Sequence, residues 1–294
     1  MFDLHSHILP GIDDGAEDVA TSLAMARAWV ADGVSVVACT PHIMPGVYAN
    51  TGPQIRLAIA ALQQTLDNEG IPLRLVTGAD NHIMPDMVGG IASGRLLTLA
   101  DTRYVLVEPT HHVAPIRLED LFFALLVAGY VPILTHPERL SWVQGHYATI
   151  QRLVQAGVWM QITAGSVTGA FGSQPKYWAE RMLDEGNVHI LATDAHNMHR
   201  RPPNLSKGRE AAARRVGIEE AERLVVIRPR AILEDHDPAD VSMPAARGAV
   251  GASLDGVQAN ETGGDRARTG SGRDLGGTGI GARFTDRVRR FLGQ

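Results

Sequence analysis

The sequence predicts an α/β fold, a closed or nearly closed β/α barrel of seven strands followed by a disordered C-terminal tail. Short apolar runs rich in β-branched residues alternate along the chain with longer segments of helical periodicity. Each helical segment is followed by glycine or proline before the next apolar run. The end of the chain is instead glycine-rich, with 12 of the 31 glycines at positions 248–294. An open, doubly wound sheet is the structural alternative.

Seven apolar runs have the length and composition of buried strands. They are Phe2–Leu4, Val34–Cys39, Leu73–Thr77, Tyr104–Val107, Val131–Thr135, Val158–Thr163 and Val188–Thr193. Helical periodicity predicts helices at Val19–Ala31, Ile55–Asp67, Leu118–Ala128, Tyr147–Ala156 and Lys176–Glu185. Alternation at this spacing favours parallel strands, whose carboxyl ends lie on one face of the sheet or barrel.

A change of composition near Asp237 predicts two parts, a barrel at 1–237 and a Gly/Arg-rich tail at 238–294. The tail has too few large aliphatic residues to offset the entropy of ordering, so we expect it to be mostly disordered. Its last residues have apolar side chains at helical spacing among arginines, from Phe284 to Leu292. A frayed end is the favoured reading, and a short amphipathic helix that docks peripherally on a membrane or partner is the alternative.

Composition excludes several classes of function. The net charge of −5 gives no sign of nucleic-acid binding. Cys39 is the single cysteine, which excludes a disulfide framework and a thiolate zinc site. It is followed six positions later by Pro45, so the arginine of a cysteine-based phosphate cradle is absent. We expect no signal peptide before the first histidines and a cytoplasmic location.

Six of the seven predicted strands end beside a side chain that can bind a metal. These side chains are His5 and His7, His42, Asp80, Glu108, His136, and Asp194 with His196. In a β/α barrel they would meet at one face, where buried imidazoles and carboxylates need a cation to coexist. Imidazole suits Zn, Fe and Mn, and carboxylates suit Mn and Mg. The pattern therefore predicts a cluster of divalent metals.

Other polar residues have two possible readings. Either Asp13 or Asp14 caps a turn while the other reaches the metals, and position does not choose between them. Arg139 and Arg201 follow histidines of the cluster and suit bidentate phosphate binding or surface salt bridges. We expect the remaining histidines to be surface or supporting residues, namely His82, His111, His112, His146, His189, His199 and His236.

Several motifs together resemble one family. The chain opens with MFDLHSHILPGIDDGAED and continues with TPH at 40–42, VEP at 107–109, HPER at 136–139, DAHN at 194–197 and RPP at 201–203. These strings resemble bacterial tyrosine-protein phosphatases of the polymerase-and-histidinol-phosphatase (PHP) superfamily, the capsule- and exopolysaccharide-regulating type. The similarity covers residues 1 to about 235. It implies a distorted (β/α)7 TIM-like barrel of the PHP type. It also implies an enzyme that acts on phosphotyrosine, with a bacterial tyrosine autokinase as substrate.

The resemblance also implies three metal ions, usually manganese or iron. It assigns His5, His7, Glu108 and Asp194 to the first ion, His42, Glu108 and His136 to the second, and Asp14, Asp80 and His196 to the third. It places Arg139 and Arg201 near the phosphate and selects Asp14 over Asp13. Position 80 is usually Glu, so Asp80 leaves open ligation through water, backbone adjustment, a weak third site, or replacement by His82.

The working hypothesis is direct hydrolysis of a phosphomonoester by water that divalent cations activate. His136 and His196 are candidates both for ligation and for organising the leaving group. Three rivals remain: a histidinol-phosphate or other small-molecule phosphatase, a nuclease of the same superfamily, and a non-catalytic protein stabilised by metals. The acidic composition argues mildly against the nuclease.

Overall fold

The computed structural model describes residues 1–247 and contains parallel strands with helices between them. The strands are β1 (Phe2–Asp3), β2 (Val36–Cys39), β3 (His42–Ile43), β4 (Arg74–Thr77), β5 (Asp80–His82), β6 (Tyr104–Glu108), β7 (Val131–Thr135), β8 (Trp159–Thr163) and β9 (Ile190–Ala192). The helices are α1 (Val19–Ala31), α2 (Gly52–Asn68), α3 (Met87–Ala92), α4 (Leu118–Val127), α5 (Val143–Ala156), α6 (Ala164–Thr168), α7 (Ser173–Asp184), α8 (Leu205–Val216), α9 (Ile218–Glu222) and α10 (Arg228–Leu233). Every named strand pair is parallel, as the alternation of strands and helices predicts.

The strands form a curled sheet with seven positions. Three strands pair in the order β1-β2-β4 and six in the order β3-β5-β6-β7-β8-β9. Because β3 follows β2 and β5 follows β4 after two residues each, the smaller sheet runs on into the larger one. The two end strands meet through a parallel bridge between Ser6 and Ala195. This arrangement confirms the predicted barrel and does not fit the open, doubly wound alternative.

The predicted and observed elements agree in kind and differ at their ends. The bounds of α1 and β7 are those predicted, and most others shift by a few residues. Two strands resume after a break, so His42 and Asp80 lie on β3 and β5 rather than in loops. Pro41 interrupts the first strand because it has no amide hydrogen to donate. Gly78 interrupts the second, where an added Cβ would lie 2.9 Å from Thr40 Cγ2.

Apolar side chains fill both faces of the curled sheet. Inside the barrel, Leu4, Leu106 and Ile133 pack around Trp159, and the ring of Tyr104 lies 5.0 Å from the Trp159 ring. Outside it, the apolar faces of the helices cover the strands in a larger continuous cluster. Burial on both faces explains why the strands read as continuous apolar runs rather than alternating patterns.

The chain continues past Asp237 as part of the same core. Val241 is buried in the inner cluster, and the Arg247 amide donates to the Asp184 carbonyl at 2.8 Å. The amphipathic helix predicted at Phe284–Leu292 lies outside the described residues. Within residues 1–247, no helix is long and apolar enough to cross a membrane.

A buried ion pair lies at the amino end of the barrel. Arg228 Nη1 is 2.7 Å from Glu220 Oε1, and the two side chains are 0% and 2% exposed. Arg228 Nε also donates to the Ser242 carbonyl at 2.7 Å. Nearby, His189 stacks on Trp159 with ring centroids 4.9 Å apart. The prediction that His189 is a surface or supporting residue was therefore wrong, because it precedes β9 at the end of the barrel away from the predicted ligands.

Replacing Arg228 by Met is expected to destabilise the fold strongly, because Glu220 then stays buried without its partner. We expect a loss of about 3–5 kcal/mol in the free energy of unfolding, measured by urea titration with circular dichroism. The control is Arg27→Met, whose exposed pair with Glu69 should cost less than about 1 kcal/mol. Equal losses in the two variants would contradict the structural role of the buried pair.

Candidate metal centre

The carboxyl ends of the strands bring all nine predicted ligands together in one cluster. The ligands are His5, His7, Asp14, His42, Asp80, Glu108, His136, Asp194 and His196. They fall into overlapping groups, and the candidate ligand atoms of each group lie within 4.8 Å of one another. The convergence expected of a β/α barrel thus places side chains almost 200 positions apart within coordination reach.

Asp194 lies beside His5 and His7, the two histidines that follow β1. Its Oδ1 atom lies 3.4 Å from His5 Nε2 and 3.3 Å from His7 Nε2. The same oxygen is buried and has no hydrogen-bond partner. A carboxylate oxygen that faces two imidazole nitrogens in this way is suited to share a cation with them.

Asp14 belongs to a second group on the solvent side. Its Oδ1 atom lies 3.3 Å from His196 Nε2 and 3.5 Å from His42 Nε2. His7 completes the group, and its ring lies 3.9 Å from the His196 ring. Asp14 is 46% exposed, whereas the histidines around it are largely buried.

Asp80 lies deeper, between three imidazoles. Its Oδ2 atom is 3.4 Å from His5 Nε2, 3.6 Å from His42 Nδ1 and 3.9 Å from His136 Nε2. Neither carboxylate oxygen has a hydrogen-bond partner, and the side chain is fully buried. Asp80 therefore faces His5, His42 and His136, whereas Asp14 and His196 form a separate group with His7 and His42.

Glu108 presents each of its two oxygens to a different pair of histidines. Oε2 lies 3.2 Å from His42 Nδ1 and 3.6 Å from His82 Nδ1. Oε1 lies 3.3 Å from His111 Nε2 and 3.6 Å from His136 Nε2. A carboxylate placed in this way can bridge two cations, which is the role the resemblance gives to Glu108.

Hydrogen bonds on the far side of the rings orient the two histidines of the first motif. His5 Nδ1 is 2.8 Å from Gln161 Oε1, and His7 Nδ1 is 2.7 Å from Asp13 Oδ2. In both residues these bonds leave Nε2 facing the cluster, as is typical of metal-binding histidines. Asp13 also accepts the His42 amide at 3.1 Å. The geometry thus separates the two acids, with Asp13 supporting a histidine and Asp14 facing the cluster.

The turn that carries these acids requires a glycine. A Cβ at Gly15 would lie 2.1 Å from the His7 carbonyl oxygen. The Ala16 amide donates to that same carbonyl at 3.0 Å. Only a residue without a side chain allows the loop to approach the His7 backbone closely enough for Asp13 to reach the His7 ring.

Two ligands adopt backbone conformations that are rare outside glycine. His136, directly after β7, has φ 34°, and Asp194, two residues after the end of β9, has φ 52°. Such strain persists only where the surroundings enforce it, and it is concentrated at functional sites. Buried Glu138 holds the first turn, since its Oε1 accepts the Thr163 amide at 2.9 Å and the Ser166 hydroxyl at 2.7 Å.

The two predicted arginines lie on the same side of the cluster. Arg139 and Arg201 both donate to Asp194 Oδ2, and Arg201 Nη1 lies 2.7 Å from His196 Nε2. The guanidinium of Arg139 also stacks 4.7 Å from the ring of Phe171. Their side chains are 16% and 20% exposed, so both remain accessible to a ligand.

The cluster perturbs the protonation of its histidines in both directions. Burial alone would lower the pKa of His5, but the carboxylates of Asp194 and Asp80 outweigh it and raise this pKa to about 9. Burial, aided by the charge of Arg139, lowers the pKa of His136 to about 4. The buried carboxylates thus demand positive charge, which a proton or a metal cation can supply.

The residues present fit divalent cations. Several buried ligand atoms lack hydrogen-bond partners, namely both oxygens of Asp80, Asp194 Oδ1 and His42 Nδ1. Buried polar atoms without partners are costly, and a bound cation satisfies them. The set contains nitrogen and oxygen atoms only, which suits Mn, Fe, Zn or Mg.

Three residues contact the predicted ligands more closely than their sequence context indicates. His111 was expected to be a surface or supporting residue, yet its Nε2 atom faces Glu108 as closely as the predicted ligands do. Its position three residues after Glu108 was the available signal. The Tyr48 ring, which no motif marked, stacks on His42 with centroids 5.5 Å apart. Gln161 lies on the strand that ends without a strong ligand.

Comparisons with known proteins agree with this geometry. A family model described as capsular polysaccharide synthesis, CpsB/CapC, matches residues 1–234. The chain is 41% identical over 202 residues to the tyrosine-protein phosphatase YwqE of Bacillus subtilis, covering 68% of this chain and 79% of that protein. It is 26% identical to the tyrosine-protein phosphatase CpsB of Streptococcus pneumoniae, covering 80% and 99%.

A solved structure is also similar. It comes from work on YwqE of B. subtilis and CpsB of S. pneumoniae, described there as unique metal-dependent tyrosine phosphatases. The TM-score is 0.78 at 34% sequence identity, and the match covers 84% of this chain and 100% of the other.

Replacing Asp13 by Ala is expected to weaken metal binding without removing a ligand, because His7 loses the acceptor that fixes its ring. Calorimetric titration with Mn²⁺ should show affinity reduced by roughly 10- to 100-fold. Glu17→Ala, an exposed change in the same segment, is the control and should bind as the parent does. Equal affinity in the two variants would contradict the orienting role of Asp13.

Proposed function

The chain belongs to the CpsB/CapC family of capsular polysaccharide synthesis, and from this premise we propose that it hydrolyses phosphotyrosine in proteins with the help of bound metal ions. The membership confirms the resemblance that the motifs indicate. The observation that supports the reaction most is the combination of nine convergent ligands with two arginines on one side of them. Cations and guanidinium groups together suit a phosphoryl group that carries charge on several oxygens.

The proposed ligands are those assigned by the resemblance. They are His5, His7, Asp14, His42, Asp80, Glu108, His136, Asp194 and His196. Divalent cations held there would supply Lewis acidity and lower the pKa of water from ~15.7 towards ~7. Mn²⁺ or Fe is the first candidate, with Zn²⁺ and Mg²⁺ as alternatives. Three ions are proposed, and the site of Asp80 departs from the family pattern, in which position 80 is usually Glu.

Arg139 and Arg201 are proposed to bind the phosphoryl oxygens. Both guanidinium groups reach the same oxygen of Asp194 and remain partly exposed. A phosphoryl group offers acceptors of the same kind, which the planar guanidinium fork can bind in bidentate fashion. Phe171, stacked on Arg139, limits the positions that this guanidinium can take.

His136 and His196 are proposed to organise the leaving group in addition to ligation. Both rings are largely buried beside the arginines, and their lowered pKa values favour neutral imidazole. The phenolate of tyrosine is a weakly basic leaving group, so the reaction needs little help from a strong general acid. Their contribution is therefore to positioning rather than to full proton transfer.

The physiological substrate is proposed to be a bacterial tyrosine autokinase of polysaccharide synthesis, in the cytoplasm. Support comes from the family, whose relatives in B. subtilis and S. pneumoniae are tyrosine-protein phosphatases. The charge of the chain offers no reason to invoke nucleic acid as a substrate.

The purified protein with Mn²⁺ is expected to release phosphate from a phosphotyrosine peptide, and excess chelator should abolish the release. Arg139→Ala and Arg201→Ala should each lower kcat/KM by roughly 10²- to 10³-fold, because charge on the phosphoryl oxygens loses a donor. Arg200→Ala, an exposed neighbour, is the matched control. Turnover of histidinol phosphate but not of the peptide would contradict the substrate class, and no release from any phosphoester would contradict the enzyme.

Replacing Cys39 by Ala is expected to leave turnover unchanged. The thiol is fully buried, and burial raises its pKa, so it cannot act as a thiolate nucleophile. Thiol alkylation of the folded parent should likewise have no effect on phosphate release. Loss of activity in a variant whose circular dichroism is native would implicate a cysteine-based route.

A further inference from the structure

We propose that His111 is a further metal ligand, and that it shares a cation with Glu108 and His136 at the edge of the cluster. This inference rests on the proposed metal centre but not on the identity of the substrate. Candidate ligand atoms of the three residues all lie within 4.8 Å of one another. The motif resemblance gives no role to His111.

The first argument is the division of Glu108 between two sides. Two of the imidazoles in contact with Glu108 face its Oε1 atom, namely His111 at 3.3 Å and His136 at 3.6 Å. Two ligands about 2.1 Å from a shared ion lie at most about 4.2 Å apart, so both separations are compatible with a common cation. The rings of His111 and His136 lie 5.0 Å apart and are tilted by 39°, which allows both to converge on one point.

The second argument is that the His111 loop is held in place. The His111 carbonyl accepts the Ser141 amide and the Ser141 hydroxyl, each at 3.0 Å. The Trp142 indole donates to the Thr110 carbonyl at 2.9 Å. The loop is therefore hydrogen-bonded to the segment that follows His136. Such support is what a preorganised ligand requires.

The third argument is the local charge. Glu108 is largely buried, and each of its two carboxylate oxygens faces an imidazole nitrogen, of His42 on one side and of His111 on the other. The carboxylate therefore has imidazoles on both sides. Two imidazoles and a carboxylate match the donor preferences of Zn²⁺, Fe²⁺ and Mn²⁺. His111 is 31% exposed, so this set is open on one side to water or substrate.

The alternative role for His111 is a simple hydrogen bond to Glu108, and three variants separate the two. His111→Ala removes both the ligand and the donor. His111→Gln keeps an amide donor but is a poor ligand. His112→Ala changes the adjacent exposed histidine, whose ring lies 6.4 Å from that of His111, and serves as the control.

Metal content after equilibrium dialysis against limiting Mn²⁺ is the measurement, with visible absorption of the Co²⁺-loaded protein as a second readout. We expect one ion to bind at least about tenfold more weakly in both His111 variants, with the remaining ions unaffected. The Co²⁺ spectrum should change in both, and the His112 variant should match the parent. Native circular dichroism without metal would show that folding is preserved.

Three results would overturn the assignment. They are parent-like affinity and spectra in both His111 variants, recovery of parent behaviour by glutamine alone, and a parent protein that binds no cation. The last result would also contradict the proposed function. Cation binding that depends on His111 without hydrolysis of any phosphotyrosine peptide would contradict the proposed function alone and would support this assignment.

Discussion

The parallel pairing of Ser6 with Ala195 joins the first strand of the sheet to the last, and the metal centre depends on it. The His7 amide donates to the Ala195 carbonyl at 2.9 Å, next to the pair. Buried Asp3 reinforces this seam, because its carboxylate accepts from Trp29 of α1 and from the Thr193 amide. Residues almost 190 positions apart in sequence are thus fixed side by side. The entropic cost of closing so long a loop is offset by burial of apolar side chains on both faces of the sheet.

Once the seam is closed, charge decides what the cluster can hold. Four acids and several imidazoles meet in a space where water is largely excluded, so unbalanced carboxylates would be costly. Arg139 and Arg201 balance part of this charge through one oxygen of Asp194, which leaves the other oxygen facing His5 and His7. The two oxygens therefore have different tasks, one towards guanidinium groups at the mouth and one towards the interior. This division places the proposed phosphate-binding side next to the proposed cation-binding side.

Most of the architecture could be predicted because the strands are buried on both faces and read as continuous apolar runs. The ligands could be predicted because each lies at or near a strand end, and convergence follows from topology alone. The continuation of β2 and β4 as β3 and β5 could not, since it depends on contacts between distant residues such as Gly78 and Thr40. Helices α8 to α10 were also missed, because α8 has few large apolar residues and α9 and α10 are only 5 and 6 residues long.

The supporting residues show the limit of reasoning from strand ends. Strand β8 ends without a strong ligand, yet it supplies Gln161 to His5 and the Thr163 amide to Glu138. Nothing local marks a glutamine as an imidazole acceptor, since the role exists only when β8 and the end of β1 face each other. His111 lies only three residues after Glu108, but its approach to His136 exists only in the folded chain. A sequence thus specifies first ligands through periodicity and position, whereas the residues that orient or extend them are specified only by the folded arrangement.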